Sequence, residues 1–402
     1  MSASRTQPLN LSAPPVIRVL QQRSLIVGLV FSAITAVLAF FNVQEVLRAY
    51  LIGFMLCLGA ALGSMAVLMV RHLTGGGWGM VIRRVLGAAM RTVPLLAALF
   101  IPLALGVHKI YIWAQPLSNI QNKHLREHLE YLTQNYLSIT WWVARAVLYF
   151  AIWNVLSYFL TKWSAEQDTP PLRDNSAKFK VVAGPGLILY GGTISFAAID
   201  WVMSIDPSWT STIFGLLVLA GQLILALSFA VIIERILYRY KPMSDLLKPD
   251  FVHDHGKFML TFIMLWAYFS FSQWLIIWSG NLPEEITWYI RRLSGGWGIF
   301  ALILVLFNFS IPFALLLSRP FKRDVTKLVY LAAWLIFMRW VDMLWYIEPT
   351  FSPTIHITIA DIVVPIAIGG LWCWYFFRNL NSMPLLPQYD VYAKQVLEPS
   401  HE

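Results

Sequence analysis

The sequence predicts an all-α integral membrane protein with ten transmembrane helices, arranged as two parallel four-helix bundles plus two flanking helices. Hydrophobic residues make up 58% of the 402 residues, and charged residues only 13%. Apolar runs of about 20 residues, long enough to cross a bilayer as a helix, recur along the chain. A motif containing two acids closes the fifth of these runs and again the ninth, which indicates an internal repeat of four helices.

Ten segments meet the criterion of length and hydrophobicity. They are residues 24–41, 49–70, 85–106, 140–161, 181–203, 209–233, 257–280, 297–318, 325–347 and 355–377. The apolar core of the first is too long for a signal peptide and no small-residue cleavage site follows it, so we interpret it as a retained helix. Spans two to five form the first bundle (about 49–203), spans six to nine form the second (about 209–348), and spans one and ten flank them.

The polar segments between the spans predict the topology. Lysine and arginine are concentrated in the N-terminal tail 1–23, the C-terminal tail 378–402 and the connecting segments that alternate with them. The loops near 204–208 and 349–354 contain none. By the positive-inside rule, both termini are therefore cytoplasmic. In the one long outer loop, Asn119–Tyr136 lacks proline and glycine and is typical of an amphipathic surface helix.

Composition and spacing argue against several kinds of site. The net charge of +9 is accounted for by the positive-inside signal and contact with anionic lipids, and does not call for nucleic acid. Cys57 and Cys373 lie inside spans, and no cysteine motif for haem, zinc or an iron–sulfur cluster occurs. His253 and His255, in the predicted loop 235–256, lack a nearby third metal ligand and are interpreted as part of a pH-sensitive loop or simply as surface histidines. We therefore expect no redox cofactor or metal bound by this chain; the repeated acid motif indicates proton or quinone chemistry near one face instead.

The repeated motif places carboxylates inside apolar segments. Its copies are Asp200–Pro207 and Asp342–Pro349, with acids, isoleucine and proline at the same offsets. A carboxylate at membrane depth costs about 2.5–3.5 kcal/mol, so it is expected to be paired or functional. The second acid of each copy, Asp206 or Glu348, comes just before the proline. We favour solvated helix-end acids there, with proton exits as the alternative.

Further ionisable residues fall within the spans. Arg339 lies three residues before Asp342, so the two share a helical face. Asp361 is placed about two turns into span ten, and Arg145 lies near the outer end of span four. Together with Asp200, these residues are predicted to lie at one level in the outer half of the bilayer. A shared, hydrated network that carries protons is one interpretation; salt bridges that fix helix register are the other.

A quinone site is less well marked. His108 ends span three at the outer interface and is the candidate for donating to a quinone oxygen, although a lone interfacial histidine is more often not a ligand. Tryptophans and tyrosines cluster near the span ends, which is typical of an aromatic belt. Those on the outer side, near the acids, are alternative candidates for lining a quinone pocket.

Three segments resemble a known family. Residues 197–215, 253–289 and 339–349 are similar to the membrane subunits of bacterial alternative complex III, a quinol:cytochrome c oxidoreductase, within the polysulfide-reductase (NrfD-like) family. The match is closest to the smaller of the two paralogous membrane subunits of that complex. The resemblance implies a ten-helix subunit of the bacterial inner membrane. It also implies partners: a paralogous quinol-binding membrane subunit, a periplasmic iron–sulfur subunit and c-type cytochrome subunits carrying haem.

In that family the principal quinol site is assigned to the larger paralogue, and the smaller subunit has a supporting or proton-conducting role. The resemblance implies a proton-path role for Asp200, Arg339 and Asp342, which lie in the matching segments. From the chemistry of buried carboxylates we expect Asp200, Asp342 and Asp361 to act as relay acids, with Arg339 and Arg145 setting their charge state. Two other functions remain open. Internal repeats and buried charges also suit a secondary transporter, and the chain could be purely a structural anchor for a complex.

Overall fold

The structure is a computed structural model that describes residues 11–170, 173–387 and 389–392, with Glu284 described in its backbone only. Within these ranges the chain forms helices and no β-strand. Ten helices are long and apolar enough to cross a membrane, so the predicted fold class, an all-α multi-pass membrane protein, is confirmed.

The ten spans are labelled α1 to α10 in chain order. They are α1 Pro15–Phe41, α2 Val43–Thr74, α3 Trp78–Leu105, α4 Ile139–Glu166, α5 Ser176–Trp201, α6 Phe214–Leu237, α7 Pro249–Gly280, α8 Trp297–Leu317, α9 Val325–Ile347 and α10 Ala360–Asn381.

Several helices extend beyond their predicted apolar cores, because a helix continues into the polar interface where hydropathy falls. The first helix begins at Pro15, so most of the described part of the predicted tail 1–23 is helical. The last ends at Asn381, inside the predicted tail 378–402. Residues 1–10 and 393–402 of those tails lie outside the described residues.

Two spans are irregular close to prolines. The helix of α3 is interrupted at Arg91 and Thr92, immediately before Pro94 at the start of the next helical segment. The middle of α8, Leu304–Ser310, is π-helical and leads into Pro312. Proline removes one backbone donor and crowds the preceding turn, which accounts for both irregularities.

The spans pack as two rings of four. In the first ring α2 contacts α3, α3 contacts α4, α4 contacts α5, and α5 returns to α2. The second ring repeats this order with α6, α7, α8 and α9. The rings meet where α2 packs on α6: a Cβ on Gly63 would lie 2.2 Å from the main-chain oxygen of Gln222, so only glycine fits this crossing. This is the predicted pair of four-helix bundles.

The flanking spans complete the molecule. The helix α1 packs chiefly on α10, and α10 packs on α2. Near the start of α1 and the end of α10, the amide of Leu385 donates to the carbonyl of Leu11 over 2.7 Å. We call this side of the molecule the tail face. The opposite side, the loop face, carries the helices Lys123–Asn135 and Pro283–Leu293. The first of these matches the predicted surface helix.

Candidate functional site

The first copy of the acid motif forms a fully paired cluster. Asp200 lies near the end of α5 and is 0% exposed. Arg145 of α4 donates to both its oxygens, from Nε to Oδ2 and from Nη2 to Oδ1, each over 2.8 Å. The hydroxyl of Tyr149 donates to Oδ2 over 2.8 Å as well. A bidentate arginine and a phenol therefore satisfy this carboxylate, as in a strong structural ion pair.

Two phenols on the loop face close this cluster. The ring of Tyr136 lies 4.0 Å from the Arg145 guanidinium, and its carbonyl accepts from Arg145 Nη1 over 3.0 Å. The Tyr111 hydroxyl donates to the carbonyl of Trp201 over 2.8 Å. Burial raises the pKa of both Tyr136 and Tyr111, so both phenols stay protonated at physiological pH.

The second copy of the motif is paired on one side only. Asp342 of α9 is 0% exposed, and Arg339 of the same helix donates to its Oδ2. Its other oxygen, Oδ1, has no hydrogen-bond partner among the described residues. Trp266 of α7 and Tyr346 of α9 are next to this carboxylate. Asp342 can therefore accept another hydrogen bond, whereas Asp200 already has three donors.

A polar link runs from this pair toward the first bundle. A Cβ on Gly221 of α6 would lie 2.0 Å from Arg339 Nη2, so the guanidinium rests directly on the backbone of α6. Arg339, Gly221 and Gln222 border a cavity of about 10 Å³, enough for about one water molecule. Gln222 in turn accepts from the Tyr190 hydroxyl of α5 over 2.9 Å. The two acid clusters themselves share no direct hydrogen bond or ion pair among the described residues.

The predicted position of Asp361 is wrong. Because α10 begins at Ala360, Asp361 lies in its first turn rather than two turns into the membrane. Its Oδ2 accepts from the amide and the hydroxyl of Thr358, over 2.8 and 3.1 Å. It neighbours Glu348, Glu45 and His356, so it belongs to a cluster of three acidic residues, Glu45, Glu348 and Asp361, at the loop face.

The interpretation of Asp206 and Glu348 as solvated acids is also wrong, since each is 4% exposed. Asp206 accepts from Arg291 Nη1 over 2.6 Å and from the hydroxyl of Ser208 over 2.6 Å. Glu348 lies close to Arg48, and its Oε1 has no partner among the described residues. The helix Pro283–Leu293 reaches Asp206 through Arg291, and the start of α2 lies close to Glu348; the sequence pattern could not show these contacts.

The histidine motif near the tail face is not in a loop. His255 lies within α7 and is 0% exposed. Its Nδ1 contacts Glu234 Oε2 of α6 over 3.0 Å, and its Nε2 contacts the carbonyl of Trp78 over 2.9 Å. Two acceptors suit an imidazolium that donates from both nitrogens. The prediction of surface histidines is therefore wrong for His255, because the helix starts earlier than hydropathy indicates.

An apolar cleft of about 790 Å³ lies between α7, α8 and α9 near the loop face. Trp288 and Tyr289 of the helix Pro283–Leu293 line one end of it, and Trp266 and Tyr346 separate it from Asp342. Aromatic side chains dominate its walls, and Tyr268 and Phe271 on its rim are exposed on the outside of the bundle. The cleft has the size and composition of a small-molecule site that is open to the bilayer.

Arg292, which sequence reasoning missed, helps to close this end of the bundle. It is 1% exposed, and its guanidinium lies 3.7 Å from the Trp288 ring. It also donates to the carbonyl of Tyr346 and, over 3.1 Å, to the hydroxyl of Thr350. Burial lowers the pKa of Arg292 to about 9, which leaves it charged at neutral pH.

His108, the candidate for quinone binding, is not part of the cleft. It lies just beyond the end of α3, in the first bundle, and its Nδ1 contacts the carbonyl of Ala114. Among the described residues, no group of three His, Cys, Asp or Glu side chains could hold a metal ion.

Comparison with known proteins finds no family model that matches this chain and no curated protein that matches it.

Proposed function

We propose that this chain is a membrane subunit of a respiratory quinol:cytochrome c oxidoreductase of the alternative complex III type, and that it conducts protons linked to quinol oxidation. The proposal combines the resemblance of residues 197–215, 253–289 and 339–349 to the smaller membrane subunit of that complex with the contacts of the buried acids. On this proposal both termini face the cytoplasm of a bacterium, and the loop face is periplasmic. The redox partners are the iron–sulfur, cytochrome and paralogous membrane subunits that the resemblance implies.

The observation that carries the proposal is a series of buried polar atoms in the second bundle. Glu234 Oε1, Ser228 Oγ, Gln222 Nε2, Asp342 Oδ1 and Glu348 Oε1 have no hydrogen-bond partner among the described residues. Every one of these residues is less than 5% exposed. Buried polar atoms in native proteins are almost always paired with protein or with water. Water is therefore the expected partner, and a file of such sites can pass protons.

Three of these residues lie along α6. Glu234, Ser228 and Gln222 are each six residues apart, which is about 9 Å along a helix axis and a rotation of about 120° around it. The proposed path therefore needs water on more than one face of α6. Glu234 and His255 would exchange protons at the tail face, and Asp342 would receive them beyond Gln222 and Arg339. The acids Glu348 and Asp361 then lie toward the loop face. Asp200 is the least suited of the predicted relay acids, because its hydrogen bonds are already filled.

The test is Asp342→Asn in the purified complex reconstituted into vesicles. We expect quinol-driven proton movement to fall on the order of tenfold, because an amide cannot take up and release a proton. Assembly should be kept, because asparagine has nearly the same shape. The matched control is Glu130→Gln, which replaces an exposed acid on the helix Lys123–Asn135 and should leave proton movement and assembly unchanged.

The outcome of this experiment separates the rival functions. Normal proton movement in Asp342→Asn would refute the relay role and favour a structural anchor. Loss of the complex would favour a salt bridge that fixes helix register. A protein that purifies alone, without haem-bearing partners, would favour a secondary transporter.

The aromatic cleft supports a second role, the binding of a quinone by this chain itself. Its walls would hold an isoprenoid tail, and Trp266 and Tyr289 offer an indole N–H and a phenol to quinone oxygens. Ala301→Trp would fill the cleft from α8 and should abolish labelling by a photoreactive quinone analogue. Labelling that persists in Ala301→Trp would exclude the cleft as the quinone site.

A further inference from the structure

A cluster of buried arginines at the tail face plays no part in the proton path. Arg71 of α2 and Arg83 of α3 both bind Oδ2 of Asp390, in the segment after α10; the Arg83 contact is 2.8 Å. Arg84 binds Asp168 through both carboxylate oxygens and donates to the hydroxyl of Ser164 over 2.9 Å.

The described residues do not neutralise this cluster. Arg91, about two turns beyond Arg84, contacts the hydroxyl of Ser382 over 3.4 Å and forms no ion pair with a described carboxylate. Four guanidinium groups therefore face the two carboxylates of Asp168 and Asp390. The excess is two positive charges, which is expensive at the end of a membrane span unless an anion is close by.

A pocket of about 410 Å³ adjoins these charges. Its walls come from α2, α3, α4 with the residues that follow it, and the segment after α10, and we call it the tail-face pocket. Its lining includes His72, Arg83, Arg84, Arg91, Thr161 and the carboxylate of Asp168. A Cβ on Gly87 would meet no atom within 4 Å, so the space reaches the backbone of α3.

Arg91 supplies the donors that remain available in the pocket, since its one described hydrogen bond is the 3.4 Å contact with Ser382. Arg84 Nε and the Thr161 hydroxyl oxygen, beside the pocket, are enclosed by protein and have no partner among the described residues. Guanidinium groups that line one space are suited to the oxygens of a phosphate.

We propose that the tail-face pocket binds the phosphates of an anionic phospholipid, and that a head group with two phosphates, as in cardiolipin, matches its two excess charges. Basic pockets between transmembrane helices commonly bind such head groups on the cytoplasmic side. The apolar residues Leu68, Met90 and Leu160 also line the pocket, where they can contact the start of the acyl chains. This site is independent of the proposed proton path.

The experiment is a titration of the delipidated full-length protein, with any partners that co-purify, by native mass spectrometry. Tetraoleoyl cardiolipin is compared with phosphatidylcholine and with inorganic phosphate. We expect saturable binding of one cardiolipin and weak binding of the other two probes. Arg91→Gln should raise the Kd for cardiolipin about fivefold, since one basic residue near the membrane surface is worth about that factor.

Two further variants complete the test. Gly87→Leu should fill the pocket and weaken cardiolipin binding without changing any charge; if it does not fold, Arg91→Gln decides alone. Lys180→Gln, an exposed lysine at the start of α5, is the control and should bind like the unmodified protein. Equal losses in Lys180→Gln and Arg91→Gln would overturn the proposal. Competition by inorganic phosphate at low concentration would assign the pocket to a soluble phosphate compound and overturn the lipid assignment.

Discussion

At the scale of single residues, two copies of one motif have acquired different environments. Asp200 accepts three hydrogen bonds from Arg145 and Tyr149, whereas Asp342 keeps one oxygen without a partner among the described residues. The arginine of the first pair comes from a neighbouring helix, and that of the second from the same helix. The pair Arg145–Asp200 therefore links α4 to α5. The pair Arg339–Asp342 links no two helices, so Asp342 remains available for the proposed proton path.

This difference predicts a structural role for Arg145. In Arg145→Met, the carboxylate of Asp200 would stay buried without its charged partner, so we expect the protein to be destabilised by about 3 kcal/mol. The measurement is the melting temperature of the purified protein in detergent. Arg126→Met removes an exposed arginine from the helix Lys123–Asn135 and should leave the melting temperature unchanged.

The double variant Arg145→Met with Asp200→Leu checks whether the unpaired carboxylate of Asp200 causes this destabilisation. It removes both charges and should recover much of the stability lost in the single variant. A double variant less stable than Arg145→Met would show that Asp200 has contacts more important than this ion pair.

At the scale of helices, the close approach of α9 to α6 depends on a glycine. Arg339 rests on Gly221, and that contact holds the guanidinium beside Asp342. The tail-face ends of α6 and α7 are joined in a similar way by Glu234 and His255. Polar contacts thus fix α6, the helix of the second bundle that meets the first bundle, against α9 and α7 at two depths in the membrane.

Gly221→Ala should therefore disturb the second bundle. The added methyl would overlap the guanidinium and push it away from Asp342, at a cost of roughly 1–3 kcal/mol. Gly192→Ala on α5 is the matched control, because a Cβ there meets no atom within 4 Å. The control should be neutral or slightly stabilised, since alanine favours helix more than glycine does. Equal melting temperatures for the two variants would contradict the close contact between Arg339 and α6.

For the whole molecule, the sequence predicts the number of spans, the repeat and the pairing of helices within each bundle. These follow from hydropathy and from short loops, which force successive helices to be neighbours. Contacts between distant helices could not be predicted in this way. Arg71 and Asp390 meet only because the chain after α10 folds back over α2.

The placement of the acids was predicted in part. Arg339 and Asp342 pair as their spacing of three residues indicates, because both lie on one helix. Asp361, Asp206 and Glu348 were misplaced, because helix ends and covering loops are set by tertiary contacts rather than by local hydropathy. An aromatic pocket near the acids was an alternative that the sequence offered, but the position of the cleft was not predictable, since its walls come from three spans and a loop helix.

The predicted topology can be tested by labelling in intact cells. On a background in which Cys57 and Cys373 are replaced by serine, Glu130→Cys should react with a membrane-impermeant maleimide. Lys178→Cys, at the tail face, should react only after the cells are permeabilised. The opposite pattern would place the termini outside and reverse the direction of the proposed proton path.

The packing of α1 on α10 has a consequence for biogenesis. Most of the first span is not buried by the rest of this chain, and its main neighbour within the chain is the tenth span. A Cβ on Gly370 would lie 2.6 Å from the amide nitrogen of Gly28, so the two helices touch along their backbones. During cotranslational insertion α1 must therefore remain in the bilayer without its main partner, held by its short connection to α2. The two flanking helices can pack together only after the ribosome has delivered α10.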